Sequence, residues 1–295
     1  MKFGVIYPQN ELGHDPYVIR DYVQAVEALG YSHLTAYEHV LGANPDRPGG
    51  WQGPYTYEDE FIEPFVLFSY LAALTSRLEF VTGILILPQR QTALVAKQAS
   101  CLDVLSGGRF RLGIGLGWNK VEYVVLNGEF HRRGRIIEEQ IDLLRKLWSQ
   151  PLVNYQGTWH NIPDAGINPL PLKRSIPLWM GGHAEPVLKR AARLADGWLP
   201  GYKSVEDALP ALDKLDQYLE QSGRKRSGRF KDGDFGTEVR LPYGGGNLDV
   251  WKKLVDGWQE VGATHLSFNP LNAGLNSPED HIRSVRLFAE MVEIR

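Results

Sequence analysis

Two adjacent residues, Glu38 and His39, carry the most direct chemical signal in the chain. A histidine titrates near neutral pH and passes a proton in either direction, and a carboxylate beside it can tune its charge or hold atoms of a cofactor. The same pair also reads as a polar strand end that caps the next loop. Successive strand residues point to opposite faces, so Glu38 and His39 need not touch. A second signal is Met180-Gly181-Gly182-His183-Ala184-Glu185-Pro186, where a strand ends on two glycines and a helix begins with Pro186 in its first turn. Such a turn presents backbone N–H groups and the positive end of a helix dipole, which suits a phosphate. Glycines also make tight strand-to-helix turns for purely structural reasons. No Lys or Arg lies within the turn, so the backbone would dominate, with Arg90 and Lys189 the nearby cations. The third signal is residues 102–118, where Gly107 and Gly108 stop a helix and Gly113, Gly115 and Gly117 thin out the far end of a strand. A strand end cleared of bulk suits the close approach of a ligand or of another backbone.

Other chemistries lack their residues. Among the expected strand ends the only histidines are His39 and His183, with no His-x-His pair, no second cysteine and no cluster at metal-ligand spacing, so a metal site is not expected. There is no Gly-x-Ser-x-Gly elbow and no Walker loop. The run Gly113-x-Gly115-x-Gly117 departs from a dinucleotide fingerprint, with Trp118 where the third glycine belongs. His33, His131, His160, His265 and His281 are scattered and read as surface or core-edge residues. Trp51, Tyr55 and Tyr57, in a long loop over 42–60, read either as an apolar wall over the site or as anchors for the loop itself. Cys101 falls in a helical pattern and reads as a core residue. The formal net charge of -3 gives no nucleic-acid footprint, and Arg224-Lys225-Arg226, between Gly223 and Gly228, reads as a solvated loop. The chain starts at once on a strand, has no signal-peptide pattern and holds no run of about 20 apolar residues, so a cytoplasmic protein with no membrane contact is expected.

The elements that must position these residues alternate along all 295 residues, 43% of them apolar. Strands are expected at Phe3–Tyr7, His33–Tyr37, Leu78–Leu87, Arg109–Ile114, Ile176–Met180, Gly197–Pro200, Phe235–Leu241 and Thr264–Phe268. Helical patterns separate them: Tyr17–Leu29, Glu63–Leu74, Thr92–Leu105, Glu122–Trp148 with a break near Asn127-Gly128, Glu185–Ala195, Val205–Ser222, Leu248–Val261 and Pro278–Ile294. Alternating β and α units over such a length predict an α/β fold, a (β/α)8 TIM barrel, as one domain over 1–295. Residues 151–175 fit no such unit and read as an insertion or lid, with a small hairpin over Val153–His160. In a barrel of this kind the site lies at the C-terminal strand ends, where both Glu38-His39 and Gly181-Gly182 fall.

At this level the chain resembles the luciferase-like monooxygenase superfamily, and within it the coenzyme F420-dependent oxidoreductases. The resemblance runs nearly end to end. It is carried by Thr82-Gly83-Ile84-Leu85-Ile86-Leu87-Pro88-Gln89-Arg90, Ala96-Lys97-Gln98, Leu102–Arg109 and Leu112-Gly113-Ile114-Gly115-Leu116-Gly117-Trp118. Glu122, Arg133-Gly134, Glu138, Leu147-Trp148, Gly181-Gly182 and Ala195-Asp196-Gly197-Trp198 continue it. The resemblance implies a homodimeric barrel holding a flavin or deazaflavin at the strand ends, with a non-prolyl cis peptide at Gly83-Ile84 beneath the ring. It implies cofactor contacts at Glu38, Gly83, Ile84, Gly115, Gly117 and Trp118, and the cofactor phosphate on Gly181, Gly182 and His183. Glu38 and His39 match the acidic-residue–His pair that moves a proton to or from substrate in F420-dependent members. Trp118 stands where some sugar-phosphate dehydrogenases of the family carry a catalytic carboxylate, so their substrate is not carried over; Glu122 is the nearest acidic replacement. The implied activity is hydride transfer between coenzyme F420 and a small organic substrate. Two alternatives stay open: an FMN-dependent monooxygenase fed by a reductase partner, and a non-catalytic flavin-binding barrel.

Overall fold

The computed structural model describes residues 1–226 and 235–294; Gly228 and Arg295, named above, lie outside them. The order is β1 (Lys2–Ile6), α1 (Pro16–Ala28), β2 (His33–Ala36), α2 (Pro64–Leu74), β3 (Glu79–Thr82), β4 (Leu85–Ile86), a 3-10 turn at Leu87–Gln89, α3 (Thr92–Ser106) and β5 (Phe110–Gly115). Then follow α4 (Lys120–Val125), α5 (Arg133–Ser149), β6 (Val153–Gln156), β7 (Asn161–Ala165), β8 (Leu178–Gly181), α6 (Glu185–Leu194) and β9 (Gly197–Leu199). The chain continues through α7 (Val205–Gln221), β10 (Gly236–Pro242), α8 (Leu248–Glu260), β11 (His265–Asn269) and α9 (Pro278–Met291). All strands but β6 and β7 join one parallel sheet in the order β3-β2-β1-β11-β10-β9-β8-β5-β4. A further pairing of β3 with β5 closes it into a barrel. The eight expected strand positions are all occupied, which makes this the predicted TIM-barrel-like α/β fold.

Local chemistry sets the element ends. Asp15 caps α1 by accepting the Tyr17 N–H at 2.8 Å, and Pro16 starts the helix, where its missing N–H costs nothing. Gly107 takes a left-handed conformation (φ 70°) to end α3, as the paired glycines predicted. Arg109 then closes the bottom of the barrel by donating to the carbonyls of Ala72, Thr75, Leu78 and Ser106. Asn119 caps α4 through the N–H groups of Val121 and Glu122, which fixes where Glu122 points.

The third barrel strand is not the single run expected over 78–87. It breaks into β3 and β4 around a cis Gly83-Ile84 peptide. Below the break β3 pairs with both β2 and β5, whereas above it β4 pairs only with β5. The sheet therefore parts between β2 and β4 at the top of the barrel.

The barrel interior holds a charged layer where aliphatic layers are usual. Arg111 bonds Glu238 at 2.7 Å and Glu79 at 3.1 Å and lies 4.2 Å from the Trp179 ring centroid. Glu238 also accepts from Ser267 at 2.7 Å and Thr35 at 3.1 Å, with His33 at 3.3 Å. The His33 ring fills the place a side chain at Gly4 would need. His33, His265 and His281 are thus fully buried, not the surface or core-edge residues expected. Ser267 and Glu238 reach His33, and Glu11 reaches His281, from segments distant in sequence that leave no local pattern.

Three smaller expectations also change. The hairpin pairs Val153–Gln156 with Asn161–Ala165, so residues 157–160 are its turn and not its second strand. Glu139 of α5 holds that turn by accepting the N–H groups of Thr158, Trp159 and His160. The basic run is not simply solvated: Arg226 pairs with Asp216 at 2.6 Å and Arg224 donates to the Ala192 carbonyl at 2.8 Å. Cys101 is half-buried. No described helix is long and apolar enough to cross a membrane.

Candidate active site

A cavity of about 250 Å³ opens where the sheet parts. Its walls are Tyr37, Glu38 and His39 after β2, Gly83, Ile84 and Ile86 around the strand break, Gly117 and Trp118 after β5, Tyr55 from the long loop, and Arg240 of β10. This is below the roughly 300–1,000 Å³ of a drug-sized ligand site, so it suits a ring system or a small organic molecule. Larger hollows lie between the outer helices, away from the strand ends where barrel chemistry sits. A second hollow of about 300 Å³ adjoins this cavity at His39 and Tyr55, lined also by Val40, Leu41, Phe61 and Asn119.

Glu38 and His39 both reach this cavity but belong to separate pairs. Glu38 is buried, accepts the Ile86 N–H at 2.5 Å and the Arg90 Nε at 2.6 Å, and is ion-paired with the Arg90 guanidinium. Burial pushes its carboxyl up, and Arg90 and the Ile86 amide only partly offset that. With both oxygens engaged, Glu38 anchors the loop after β4; it is not placed as the free acid that the Glu38-His39 pairing suggested.

His39 turns instead to Glu122, with Nδ1 at 3.4 Å from Oε2. Glu122 is fully buried and its other oxygen accepts the Val40 N–H at 2.8 Å and the Leu41 N–H at 3.3 Å. Burial would raise this carboxyl, but His39 and the two amides outweigh it and hold it below the ordinary carboxylate range. An ionised Glu122 at Nδ1 fixes the ring and favours a proton on that nitrogen. Aromatic rings surround His39: Tyr55 and Phe61 each at 4.9 Å and Trp118 at 5.8 Å between centroids. Trp51 extends the wall, 5.6 Å from Trp118, and donates its N–H to the Tyr55 carbonyl at 2.7 Å. Of the loop aromatics, Trp51 and Tyr55 form a wall while Tyr57 stays exposed.

The glycine run does different work from that expected of it. A side chain at Gly115 would meet Ile84 Cδ1 at 2.5 Å, and one at Gly117 would meet Ile86 Cγ2 at 2.7 Å; Gly113 faces the Thr82 carbonyl. Gly181 is likewise filled, with Ile84 Cγ2 at 2.6 Å. These glycines seat the side chains of the broken strand, and of them only Gly117 borders the cavity. The Gly182-His183 turn lies outside the cavity wall. Gly182 has φ 120° and its carbonyl accepts the Trp198 N–H at 2.6 Å; the exposed His183 ring packs edge-on against Tyr202. The N-cap Ala184 offers α6 no side-chain acceptor. Pro186 has no N–H and the Val187 N–H bonds the Ala184 carbonyl at 2.8 Å, which leaves the Glu185 N–H of the first turn open to an anion. Glu185 in that turn is held low by Lys189, Tyr218 and Lys214. Arg90 and Lys189, named as cations near this turn, are committed to Glu38 and Glu185.

Arg240 was missed, as it sits inside the seventh barrel strand instead of at its end. Alternation along that strand is the signal that could have found it: Glu238 and Arg240 share the inward face. Among the described residues no group of His, Cys, Asp or Glu is placed to hold a metal ion.

A closed parallel barrel with an aromatic-walled cavity at its strand ends is the layout of a barrel enzyme. Residues 1–283 match the family model for luciferase-like monooxygenase, and the chain belongs to that family of oxidoreductases and monooxygenases. An uncharacterized protein of Mycobacterium tuberculosis is 34% identical over 280 residues, 91% of this chain and 92% of the relative. An F420-dependent secondary alcohol dehydrogenase, in complex with an F420-acetone adduct, superposes with a TM-score of 0.78 over 100% of both chains at 14% identity. The oxygenating constituent of 3,6-diketocamphane monooxygenase from Pseudomonas putida, in complex with FMN, gives 0.73 over 99% of this chain and 97% of that one at 13% identity.

Proposed function

We propose that this protein is an oxidoreductase that transfers a hydride between coenzyme F420 and a small organic substrate, with His39 as the group that gives or takes the accompanying proton. The observation that carries the reading is the His39–Glu122 pair set in an aromatic cavity beside the broken strand. The residues present fit a flat ring: Gly83 has no side chain, Ile84, Ile86 and Trp118 offer apolar surface, and no carboxylate in the cavity is unpaired. Gly83, Ile84, Ile86, Gly117 and Trp118 would hold the ring, with Gly115 and Gly181 seating Ile84 beneath it. The N–H groups of His183 and Glu185, at the start of α6, would hold the cofactor phosphate. The bound deazaflavin supplies the hydride chemistry, and the protein supplies placement and the proton.

In this reading Glu122 holds Nδ1 of His39, which leaves Nε2 for the substrate. Tyr55, Phe61 and Trp118 keep water from the ring, so proton exchange runs through His39. Glu38 and Arg90 fix the Ile86 backbone, and so one wall of the bed. The family resemblance also supports a homodimer in the cytoplasm. A second reading, an FMN-dependent monooxygenase supplied by a reductase partner, draws support from the family's name and from the FMN complex of the Pseudomonas putida neighbour.

Titrating the purified protein with F420 and with FMN, followed by ligand fluorescence, separates the two. The first reading expects tight F420 binding; FMN binding with no response to F420 would replace it with the second. Binding of either with no turnover of any electron acceptor or donor would leave a flavin-binding barrel.

A further inference from the structure

Of the arginines in the barrel interior and around the cavity, Arg90 and Arg111 are neutralised and Arg240 is not. Arg90 faces Glu38 and Glu63, the latter at 2.8 Å, and Arg111 faces Glu79 and Glu238. Arg240 is half-buried in the same barrel and lines the cavity, yet among the described residues it pairs with no carboxylate. Its Nη2 donates to the Gly83 carbonyl at 3.0 Å, and its guanidinium lies over the Tyr37 ring, 4.8 Å from the centroid. One carbonyl and one ring face occupy a small part of a group with five N–H donors.

The other charges around the cavity are already spent on one another. Glu38 is consumed by Arg90 and the Ile86 N–H. Glu122 is consumed by His39 and two backbone amides. The remaining walls, Tyr37, Tyr55, Gly83, Ile84, Ile86, Gly117 and Trp118, bring no formal charge. The cavity therefore carries an uncompensated cation on one wall, in partly desolvated surroundings where a lone charge is costly and an opposite one is strongly attracted. A guanidinium held flat by a ring and a carbonyl offers its remaining edge to a planar oxyanion, the geometry in which arginine exceeds lysine.

We propose that the cavity takes a small planar organic acid, whose carboxylate pairs with Arg240 while its unsaturated body packs on Tyr55 and Trp118. This assignment rests on the proposed function: the cofactor ring would take the walls at Gly83, Ile84, Ile86 and Gly117, and the acid the walls at Arg240, Tyr55 and Trp118. Arg240 then fixes the acid's orientation relative to His39 from across the room, and neutral analogues of the same shape are disfavoured because they leave the guanidinium unpaired.

Benzoate and benzamide share a shape and differ in charge, so they serve as the probes. Their binding to the purified full-length protein is followed by tryptophan fluorescence, with and without saturating FMN or F420. The wild type should bind benzoate at least about tenfold tighter than benzamide. Arg240→Met should erase that preference, and Arg240→Lys should keep part of it, with thermal melts showing all three proteins folded. No tenfold preference in the wild type, including no binding of either probe, overturns the proposal. So does a preference that survives in Arg240→Met, or an Arg240→Met protein that loses FMN or F420 affinity while still preferring benzoate, since Arg240 would then serve the cofactor. Failure of the hydride-transfer reading shows separately, as absence of any FMN or F420 response while the benzoate preference stands.

Discussion

His39 Nδ1 lies 3.4 Å from Glu122 Oε2, while Glu38, its neighbour in sequence, turns away to Arg90. The proposed acid–base unit of the cavity is therefore built across two βα units, from the end of β2 and the short helix α4 after β5, and not from two consecutive residues. Burial of Glu122 and its two backbone donors keep the carboxylate fixed whichever charge His39 carries.

This division of labour separates two variants. His39→Ala should lower kcat by about 10²–10⁴-fold, the range of a lost general acid or base, and leave cofactor affinity unchanged. Glu38→Gln should instead weaken cofactor binding, because it frees the Ile86 backbone and Arg90. Steady-state kinetics with fluorescence titration of each variant read the difference; equal turnover by His39→Ala and wild type would remove the proton-transfer role.

Glu122 predicts a pH dependence of stability. Its folded value lies below its unfolded one, so the stability it adds is present above the unfolded value and is lost as pH falls through the folded value. Glu122→Gln should cost about 1.5–3 kcal/mol at neutral pH, the range for bonds to a charged group. That deficit should shrink steadily in urea melts taken below about pH 4.

The buried charged layer makes a second acid-sensitive point. Burial, Arg111 and His33 hold His265 well below 6.5, so this ring is neutral when folded and protonates on unfolding. Melting temperature should therefore fall as pH drops below 6.5, with a shallower fall in His265→Asn. Arg111→Met strands Glu238 without its strongest partner and should cost about 3–5 kcal/mol.

Gly181 and Ile84 should couple. Gly181→Ala places a carbon against Ile84 and should cost about 1–3 kcal/mol through overpacking. Ile84→Ala, harmful alone, should recover part of that loss in the double variant. A double-mutant cycle by chemical denaturation measures the coupling; additive effects would show that the two do not share the space.

The anion site can be read without turnover. Gly182→Val, at φ 120°, disturbs the backbone that presents the N–H groups. Under the FMN reading the wild type should bind FMN far better than riboflavin and the variant should bind both alike. Under the F420 reading the same gap should separate F420 from its phosphate-free deazaflavin. An unchanged gap between FMN and riboflavin would move the phosphate elsewhere.

Much of this was legible in the chain. The barrel followed from alternating periodicities, and the helix ends from Gly107 and Pro186. The fate of Glu38 and the glycine run was not, because it depends on partners distant in sequence. Arg90 claims Glu38 from beyond the third strand, and Ile84 and Ile86 fill the space beside Gly115 and Gly117. No local pattern announces which glycine is left open to a ligand and which is already filled by the protein. His33 reads as solvent-seeking for the same reason, since Ser267 and Glu238 reach it from other strands; His265, beside Thr264, is buried against the Trp179 ring. Arg240 leaves no signal at a strand terminus, because its side chain reaches the cavity from within β10.

The parting of the sheet above Thr82 divides the third strand by task. Its lower half is tied on both sides and carries the closure of the barrel. Its upper half, Leu85 and Ile86, pairs with β5 alone within the sheet and is held like a jamb to the segment bearing His39 by the Glu38 side chain. The width of the slot can then be retuned by exchanging a few side chains there, with the rest of the barrel untouched. A scaffold arranged in this way can change what it admits without reopening the question of whether it folds.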